Sequence, residues 1–344
     1  MIDVLVMHWQ KTHGRNHLPW QKTSDPYRVW LSEIMLQQTQ VSTVINYYSR
    51  FLERFPNVAA LAAASEDDVL ASWSGLGYYS RARNLHRCAK KVMQLHGGDF
   101  PVTAQILQTL PGIGRSTAGA IAAFCFAERV PILDANVRRV LTRLIGFDAD
   151  LSVAANERML WDYSETLLPS HHLSESMPRY TQGLMDLGAM VCVARNPSCA
   201  QCPLKAQCVA FKKGSPESYP VKTRKLVRKK EVWWLLLLRD ATDRVLLERR
   251  PHEGIWPGLH CLPVYLDHAE LMRHSALKEA INIINMPSFL HALTHRELHL
   301  HPVMIQIDSN GLDDKYRSWF GSEQWNNLGL PAPIKKLLMS KVLK

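Results

Sequence analysis

The chain has 344 residues, 47% hydrophobic and 21% charged, which indicates folded domains and excludes disordered, collagen-like and coiled-coil proteins. Its length suits two domains, its apolar runs are far shorter than the ~20 residues of a membrane span, and residues 1–14 lack a signal-peptide stretch, so we expect a soluble, cytoplasmic protein. The 41 Lys and Arg against 31 Asp and Glu leave a net charge of +10, which favours a polyanionic partner such as nucleic acid.

The first part of the chain is predicted to be all-α. From Pro26 to about Phe211, apolar residues recur at helical spacing, and Gly and Pro mark the joints between short helices. A basic linker follows at residues 221–230, where the composition changes to Lys and Arg with no acidic residue.

The second part is predicted to be α+β. Residues 231–238 and 243–248 have the composition of two strands, and residues 269–284 have the pattern of an amphipathic helix. The half-alternating run around Leu298, Leu300 and Val303 predicts a further strand with one solvated face.

Glu33 lies on a predicted helix, at the edge of an apolar face formed by Trp30, Leu31 and Ile34. A carboxyl at that edge is partly desolvated, which raises its pKa and suits it to act as a general acid. The alternative is an ordinary solvated acid on the helix surface.

Two glycines, Gly112 and Gly114, separate predicted helices at 103–110 and 116–127. A glycine hairpin that leads into a helix N-terminus exposes backbone amides that can hold a phosphate, although it also suits a plain helix–helix turn. Asp134 precedes a predicted helix at 136–145, so it is either the N-cap of that helix or a functional carboxylate.

Four of the seven cysteines lie close together with the spacing C-x6-C-x2-C-x5-C: Cys192, Cys199, Cys202 and Cys208. A disulfide framework is improbable in a reducing cytoplasm, and four soft sulfur ligands suit either tetrahedral zinc or an iron–sulfur cube. The spacing contains only one close pair, whereas zinc sites usually have two.

The cysteine spacing and the hairpin are together similar to those of the endonuclease III superfamily of DNA glycosylases, whose cysteines hold a [4Fe-4S] cluster. The segment Ser-Glu-Ile-Met-Leu-Gln-Gln-Thr-Gln around Glu33 closely resembles the catalytic segment of the adenine DNA glycosylase (MutY) family. The resemblance implies that Glu33 protonates the adenine and that Asp134 stabilises or captures the sugar cation. It also implies a [4Fe-4S] cluster on the four cysteines and phosphate binding by Gly112 and Gly114.

Two positions depart from patterns in the superfamily. Bifunctional members carry a lysine for Schiff-base chemistry where this chain has Ser116, so we expect a monofunctional enzyme. The family usually has Asp-Gly-Asn where this chain has Asp134, Ala135 and Asn136. If that glycine takes a positive φ, alanine costs ~1 kcal/mol or shifts the loop.

Further contacts with DNA follow from the resemblance. An adenine inside a duplex must be extruded, and the matching elements identify Gln38 and Tyr78 as wedges. Gln182 matches a position that lines the adenine pocket, where an amide can pair with the base, and Ser116 and Asn136 are expected to line the same site.

The segments at 248–251 and 254–263 resemble the Nudix-like C-terminal domain of the family, without the Arg-Glu pair and acid cluster of a Nudix hydrolase. The resemblance implies that Leu293, Thr294 and His295 match the loop that recognises 8-oxoguanine, with Leu293 in place of an aromatic residue. Alternatively, the histidines of this strand edge are solvated or bind a metal adventitiously.

The chain is thus identified as a member of the MutY family, expected to remove adenine opposite 8-oxoguanine or guanine from duplex DNA as a monomer. The expected organisation is a catalytic domain at residues 1–220, a linker at 221–230 and a lesion-recognition domain at 231–344. Within the first domain, a helical barrel is expected at about 22–130 and a cluster subdomain at 1–21 and 131–220. The rivals are a glycosylase/lyase for oxidised pyrimidines and a non-catalytic iron–sulfur module that binds DNA or carries electrons.

Overall fold

The N-terminal part of the chain consists of short helices, as the apolar spacing predicted. The computed structural model describes residues 2–223, 227–308 and 317–340. The helices before the linker are α1 Ile2–His13, α2 Pro26–Leu36, α3 Val41–Arg54, α4 Val58–Ala63, α5 Glu66–Ser72, α6 Ser80–His96, α7 Ala104–Leu107, α8 Arg115–Phe126, α9 Ala135–Ile145, α10 Ala154–Thr166, α11 Leu173–Met190 and α12 Val209–Lys212.

The chain divides into two units that do not follow the sequence order strictly. The first unit comprises Met1–Ala63 and Asn84–Lys225, and the second comprises Ala64–Arg83 and Leu226–Lys344. The sequence did not predict that Ala64–Arg83, with α5, groups with the C-terminal part. No helix in the described part of the chain is long and apolar enough to span a membrane.

The core of the first unit joins helices that are far apart in the chain. Buried side chains of α1, α9 and α11 pack together, including Val6, Val140 and Tyr180. A Cβ added at Gly183 would lie 2.6 Å from Cγ1 of Val6, so glycine permits the close approach of α11 to α1. This packing gives the start of α9 and the middle of α11 a common, rigid support.

The second unit is built on an eight-stranded sheet with the path β3-β2-β1-β7-β5, while β4 pairs with β1, β6 with β7 and β8 with β2. The two long strands, β1 and β7, run parallel, and β2 pairs antiparallel with β1. The strands are β1 Lys229–Arg239, β2 Val245–Arg249, β3 His260–Cys261, β4 Val264–Tyr265, β5 Ala280–Asn285, β6 Phe289–Ala292, β7 Arg296–Ile307 and β8 Arg317–Phe320. The strands predicted at 231–238, at 243–248 and around Leu298 are therefore confirmed.

The helix predicted at 269–284 is wrong. This segment forms one helical turn, α13 His268–Leu271, then a 3-10 helix at Ser275–Glu279 and the strand β5, which pairs antiparallel with β7. The β-branched Ile281, Ile283 and Ile284 favour a strand, and pairing with β7 supplies the hydrogen bonds that decide the outcome. Two short helices complete the unit, α14 Ser322–Asn326 and α15 Ala332–Leu338.

Candidate active site

A cavity of about 880 Å³ in the first unit brings together residues that the sequence singled out on four different elements. The end of α2 and the turn after it, the first turn of α8, the start of α9 and the middle of α11 all contribute. The predicted residues that line it are Glu33, Gln38, Ser116, Asp134, Asn136 and Gln182.

Glu33 lies in this cavity with a strongly perturbed acidity. Helix α2 begins after Asp25, whose side chain caps it by accepting from the Tyr27 amide, and the buried Ile34 and Met35 follow Glu33. Burial, together with a smaller contribution from the nearby charge of Asp134, raises the pKa of Glu33 to about 8. Glu33 is therefore mostly protonated at neutral pH, in agreement with the desolvation inferred from the helical wheel.

Asp134 is the N-cap of α9, which is one of the two roles predicted for it. Its Oδ1 accepts from the Val137 amide at 2.7 Å, and Oδ2 lies 3.5 Å from Nδ2 of Asn136. Burial raises the pKa of this carboxyl above its ordinary value, while the hydrogen bonds from Val137 and Asn136 oppose that rise. One carboxyl oxygen thus caps the helix, and the side chain lines the same cavity as Glu33.

Ala135 causes no backbone strain. It is the first residue of α9, and it is not among the residues of positive φ in the described part of the chain. The conditional penalty for replacing glycine at this position therefore does not arise, because the helix start needs no left-handed residue.

Ser116 and Asn136 fix the segment around Asp134. The Ser116 hydroxyl accepts from the Leu133 amide at 3.1 Å, which holds the residue just before Asp134. The Asn136 Oδ1 accepts from Nη2 of Arg139 at 2.9 Å, and Nε of Arg139 donates to the Cys192 carbonyl at 2.7 Å. Both residues border the cavity, and both also position the aspartate.

Gln182 is oriented by a buried carboxylate. Its Nε2 donates to Oδ1 of Asp186 at 2.9 Å, and Asp186, which is fully buried, also accepts from Nε of Arg15 at 2.7 Å. Because a carboxylate only accepts, the amide nitrogen must face Asp186, and the Oε1 acceptor remains for a ligand.

Gln21 is a candidate that the sequence analysis missed. It lines the cavity, and its Nε2 and Oε1 are both buried without a hydrogen-bond partner among the described residues. Buried amides are nearly always paired, so two unpaired atoms beside a cavity indicate a ligand-binding group. No local motif marks Gln21; its burial arises only in the folded unit.

The glycine hairpin has the predicted form. Gly112 has φ +76°, and a Cβ added there would lie 2.7 Å from Cβ of Asn84, so glycine is required. Gly114 caps α8 with open space around its Cβ position, and both glycines are exposed. The free amides at the start of α8 are thus accessible to an anion.

The two predicted wedges share an unusual backbone conformation. Gln38 has φ +58° and Tyr78 has φ +48°, and Tyr78 is 43% exposed. Strained non-glycine residues of this kind cluster at functional sites. Gln38 lines the cavity of the first unit, whereas Tyr78 belongs to the second unit.

The four clustered cysteines come close to one another. Burial raises the pKa of Cys202 to about 11, and the thiols of Cys192, Cys208 and Cys199 are each near enough to add to that rise. The buried Arg143 donates from Nη1 to Sγ of Cys192 at 3.4 Å, and Sγ of Cys208 donates to the Arg143 carbonyl at 3.3 Å. Within the described ranges, no three His, Cys, Asp or Glu side chains are placed to hold a metal ion.

The predicted recognition loop is the tip of a hairpin in the second unit. Residues 293–295 connect β6 to β7, and the Leu293 amide donates to the Arg296 carbonyl at 2.8 Å. Thr294 and His295 are exposed, so their side chains are accessible to a partner.

Comparisons with known proteins agree along the whole chain. The family "HhH-GPD superfamily base excision DNA repair protein" matches residues 31–165, and the NUDIX domain family matches residues 233–340. The adenine DNA glycosylase of Buchnera aphidicola subsp. Acyrthosiphon pisum (strain APS) is 37% identical over 98% of this chain and 97% of its own. The adenine DNA glycosylase of Mus musculus is 30% identical over 96% of this chain and 76% of its own.

A solved structure supports the helical glycosylase fold. A thermostable thymine-DNA glycosylase superposes with a TM-score of 0.54 at 26% identity, covering 62% of this chain and 95% of its own. The expected helix-hairpin-helix glycosylase domain and Nudix-like C-terminal domain are confirmed. With relatives of this identity along nearly its whole length, the chain is a DNA glycosylase and belongs to the adenine DNA glycosylase (MutY) family.

Proposed function

We propose that this protein removes adenine opposite 8-oxoguanine or guanine by hydrolysing the N-glycosidic bond, and that it leaves an abasic site. The observation that carries the proposal is the pair of carboxyls in one cavity, with Glu33 mostly protonated at neutral pH beside Asp134. An acid that protonates the leaving base and a carboxylate that stabilises the sugar cation are the two groups that this cleavage needs.

The mechanism begins with extrusion of the adenine into the cavity. Glu33 donates its proton to a ring nitrogen, and the bond to the sugar breaks. Ionised Asp134 stabilises or captures the resulting cation until water adds to it and gives up a proton to the Glu33 carboxylate, which restores the acid. Because Asp134 raises the pKa of Glu33, the two groups support each other: the ionised aspartate keeps the acid protonated.

Two amides would recognise the adenine ring. The Oε1 of Gln182 can accept from the exocyclic amine of adenine, because Asp186 holds its Nε2. The amide of Gln21, whose polar atoms have no hydrogen-bond partner in the described part of the chain, can supply a further donor and acceptor. Both amides lie in the cavity that contains Glu33.

The absence of an amine supports hydrolysis without strand cleavage. No lysine is among the described residues that line the cavity, and Ser116 stands where bifunctional members of the superfamily carry one. The Ser116 hydroxyl is already bonded to the Leu133 amide. We therefore propose a monofunctional enzyme.

The duplex would be held by groups on both units. Gly112 and Gly114 would bind a backbone phosphate, Gln38 and Tyr78 would fill the gap left by the extruded base, and Thr294 with His295 would contact the 8-oxoguanine. We propose that the enzyme works as a monomer on chromosomal DNA in the cytoplasm.

We further propose that Cys192, Cys199, Cys202 and Cys208 hold a [4Fe-4S] cluster with a structural role. The fit rests on the other three thiols lying within electrostatic reach of Cys202, and on three of the four cysteines packing against the core of the first unit. A cube takes one thiolate on each iron, so its four ligands need not converge as closely as those of a single ion. Burial raises the pKa of Cys192, and the Arg143 guanidinium beside its sulfur opposes that rise.

Replacing Cys202 with alanine is expected to reduce the iron and sulfide content of the purified protein, since one iron loses its ligand. Cys125→Ala, which removes a thiol of α8 outside the group, is the matched control and should keep the content of the wild type. Metal analysis together with visible absorption checks both variants. One zinc per chain in the wild type, or unchanged iron in Cys202→Ala, would contradict the cluster assignment.

The rate of adenine excision is expected to fall as pH rises through about 8, because Glu33 then loses the proton that it must donate. At low pH the rate should fall again as Asp134 becomes protonated, since burial raises its pKa. Single-turnover rates over a pH series, with DNA binding measured alongside, test this dependence. A rate that stays constant above pH 9, at saturating enzyme, would exclude Glu33 as the acid.

The specificity is tested with four duplexes that place adenine opposite 8-oxoguanine, guanine, cytosine or thymine, each assayed with and without hot alkali. We expect cleavage opposite the first two only, and only after alkali. A strand break without alkali would favour the glycosylase/lyase reading, and no excision by folded, cluster-containing protein would leave a DNA-binding module.

A further inference from the structure

The turn at residues 75–79, which contains Tyr78, is hydrogen-bonded to the C-terminal part of the chain. The Tyr79 hydroxyl donates to the Leu330 carbonyl at 2.6 Å, and the Ser74 hydroxyl donates to the same carbonyl at 3.3 Å, both in buried positions. The same Tyr79 hydroxyl accepts from the Gly75 amide at 3.2 Å. One phenol thus joins the first residue of the turn to the backbone near α15.

The accepting backbone is itself held in place. The Gly329 carbonyl accepts from the His260 amide of β3 at 2.9 Å, and a Cβ added at Gly329 would lie 2.9 Å from Cβ of Leu70 on α5. Residue 330 is completely buried. The residue before the carbonyl that binds Tyr79 thus contacts both the sheet and α5.

Two further contacts attach the segment Ala64–Arg83 to residues of the C-terminal part of the second unit. Arg249, the last residue of β2, pairs with Asp67 on α5 at 2.7 Å. Near the other end, Nη1 of Arg83 donates to the Pro257 carbonyl at 2.6 Å. These bonds explain why Ala64–Arg83 belongs to the second unit although its neighbours in sequence belong to the first.

Tyr78 needs such support because its own conformation is unfavourable. Its φ of +48° lies in the left-handed region, between Gly77 at +72° and Tyr79. The Arg81 guanidinium lies 5.5 Å from the centre of the Tyr78 ring and donates to the Gly77 carbonyl at 3.3 Å. Strain of this kind persists only where the surroundings hold it.

We infer that the C-terminal part of the chain holds the DNA-inserting turn in shape, and that Tyr79 is the positioning residue that transmits this hold to Tyr78. The inference rests on the wedge role of Tyr78 in the proposed function. Its consequence is that the unit carrying the proposed lesion loop also sets the conformation of the wedge, so that lesion contact and base extrusion are linked through the same unit.

The test is Tyr79→Phe, which removes the hydroxyl and keeps the buried ring. Stopped-flow fluorescence of 2-aminopurine placed beside the target adenine reports extrusion. We expect extrusion opposite 8-oxoguanine to slow about fivefold, the effect of one buried hydrogen bond. Excision of an adenine that faces a one-nucleotide gap, where no base pair must open, should keep its rate.

Tyr27→Phe is the matched control. The Tyr27 hydroxyl also donates to a backbone carbonyl, that of Phe55, at 2.6 Å in a buried position. It should lower the melting temperature comparably and leave extrusion unchanged, which separates positioning from general stability.

Tyr78→Ala distinguishes the two ways in which the test can fail. If Tyr78→Ala slows extrusion while Tyr79→Phe matches the wild type, the positioning role of Tyr79 is wrong and the wedge remains. If neither variant slows extrusion, the wedge assignment itself fails. Equal slowing by Tyr27→Phe and Tyr79→Phe would also overturn the inference.

Discussion

Replacing Glu33 with glutamine is expected to lower the single-turnover rate of adenine excision by a factor of roughly 10² to 10⁴, the usual contribution of a general acid. Glutamine has the same shape and cannot give up a proton to the leaving base. The measurement is alkali-developed cleavage of a duplex with adenine opposite 8-oxoguanine, at saturating enzyme. DNA binding should be retained.

The same substitution should stabilise the protein at high pH. Burial raises the pKa of Glu33 in the folded state to about 8 from an ordinary value of 4.5, so the folded protein binds this proton more tightly than the unfolded chain. Stability therefore falls between these two pH values as pH rises, and the penalty is fully present above about pH 8. Glutamine carries no charge at any pH and avoids this penalty. At pH 8.5 the free energy of unfolding of Glu33→Gln should therefore be higher than that of the wild type by roughly 1 to 3 kcal/mol.

The matched control is Glu53→Gln, which removes an exposed acid of α3 outside the cavity. Its excision rate and its unfolding at each pH should equal those of the wild type. Undiminished excision by Glu33→Gln would remove Glu33 from the mechanism. A stability difference between Glu33→Gln and wild type that persists below pH 4 would show that the effect is packing and not protonation.

Replacing Asp134 with asparagine is expected to lower excision by a factor of about 10² to 10³, because the sugar cation loses its stabilising charge. Asparagine is also a good N-cap, so the bond to the Val137 amide and the start of α9 should survive. The substitution thus removes the charge and spares the helix, which separates the two roles that the sequence left open.

Asp134→Ala supplies the comparison, since it removes the cap as well and should cost about 1 kcal/mol of stability. The residual excision rate of Asp134→Asn should begin to fall with rising pH at a lower pH than the rate of the wild type does. The reason is that the aspartate charge no longer raises the pKa of Glu33. Full activity in Asp134→Asn, accompanied by a loss only in Asp134→Ala, would reduce Asp134 to a helix cap.

Much of the local structure could be predicted because its causes are local. The helix with Glu33 follows from apolar spacing, the cap at Asp134 follows from a polar residue before a helix, and β7 follows from alternation. The pKa of Glu33 was predicted in direction because an acid at the edge of an apolar face is desolvated in most packings.

Local patterns were insufficient where contact with a distant segment of the same chain decides the structure. Residues 280–285 formed a strand because β7 offered an edge to pair with, whatever the helical spacing suggested. The side-chain amide of Gln21 is buried, without a hydrogen-bond partner among the residues that the structure describes, only because the first unit folds around it. The placement of Ala64–Arg83 with the second unit depends on bonds such as that from Tyr79 to Leu330, 251 residues apart in the chain.

The sequence by itself thus determined the family and the helical and sheet domains, and it predicted Glu33 and Asp134 as the two functional carboxyls, since these predictions rest on short motifs and local periodicity. Only the tertiary structure decided that Glu33, Asp134 and Gln182 share one cavity and that Tyr78 belongs with the C-terminal sheet. The physical reason is that burial, charge proximity and long-range hydrogen bonds depend on which distant segments pack together, and no local pattern encodes that.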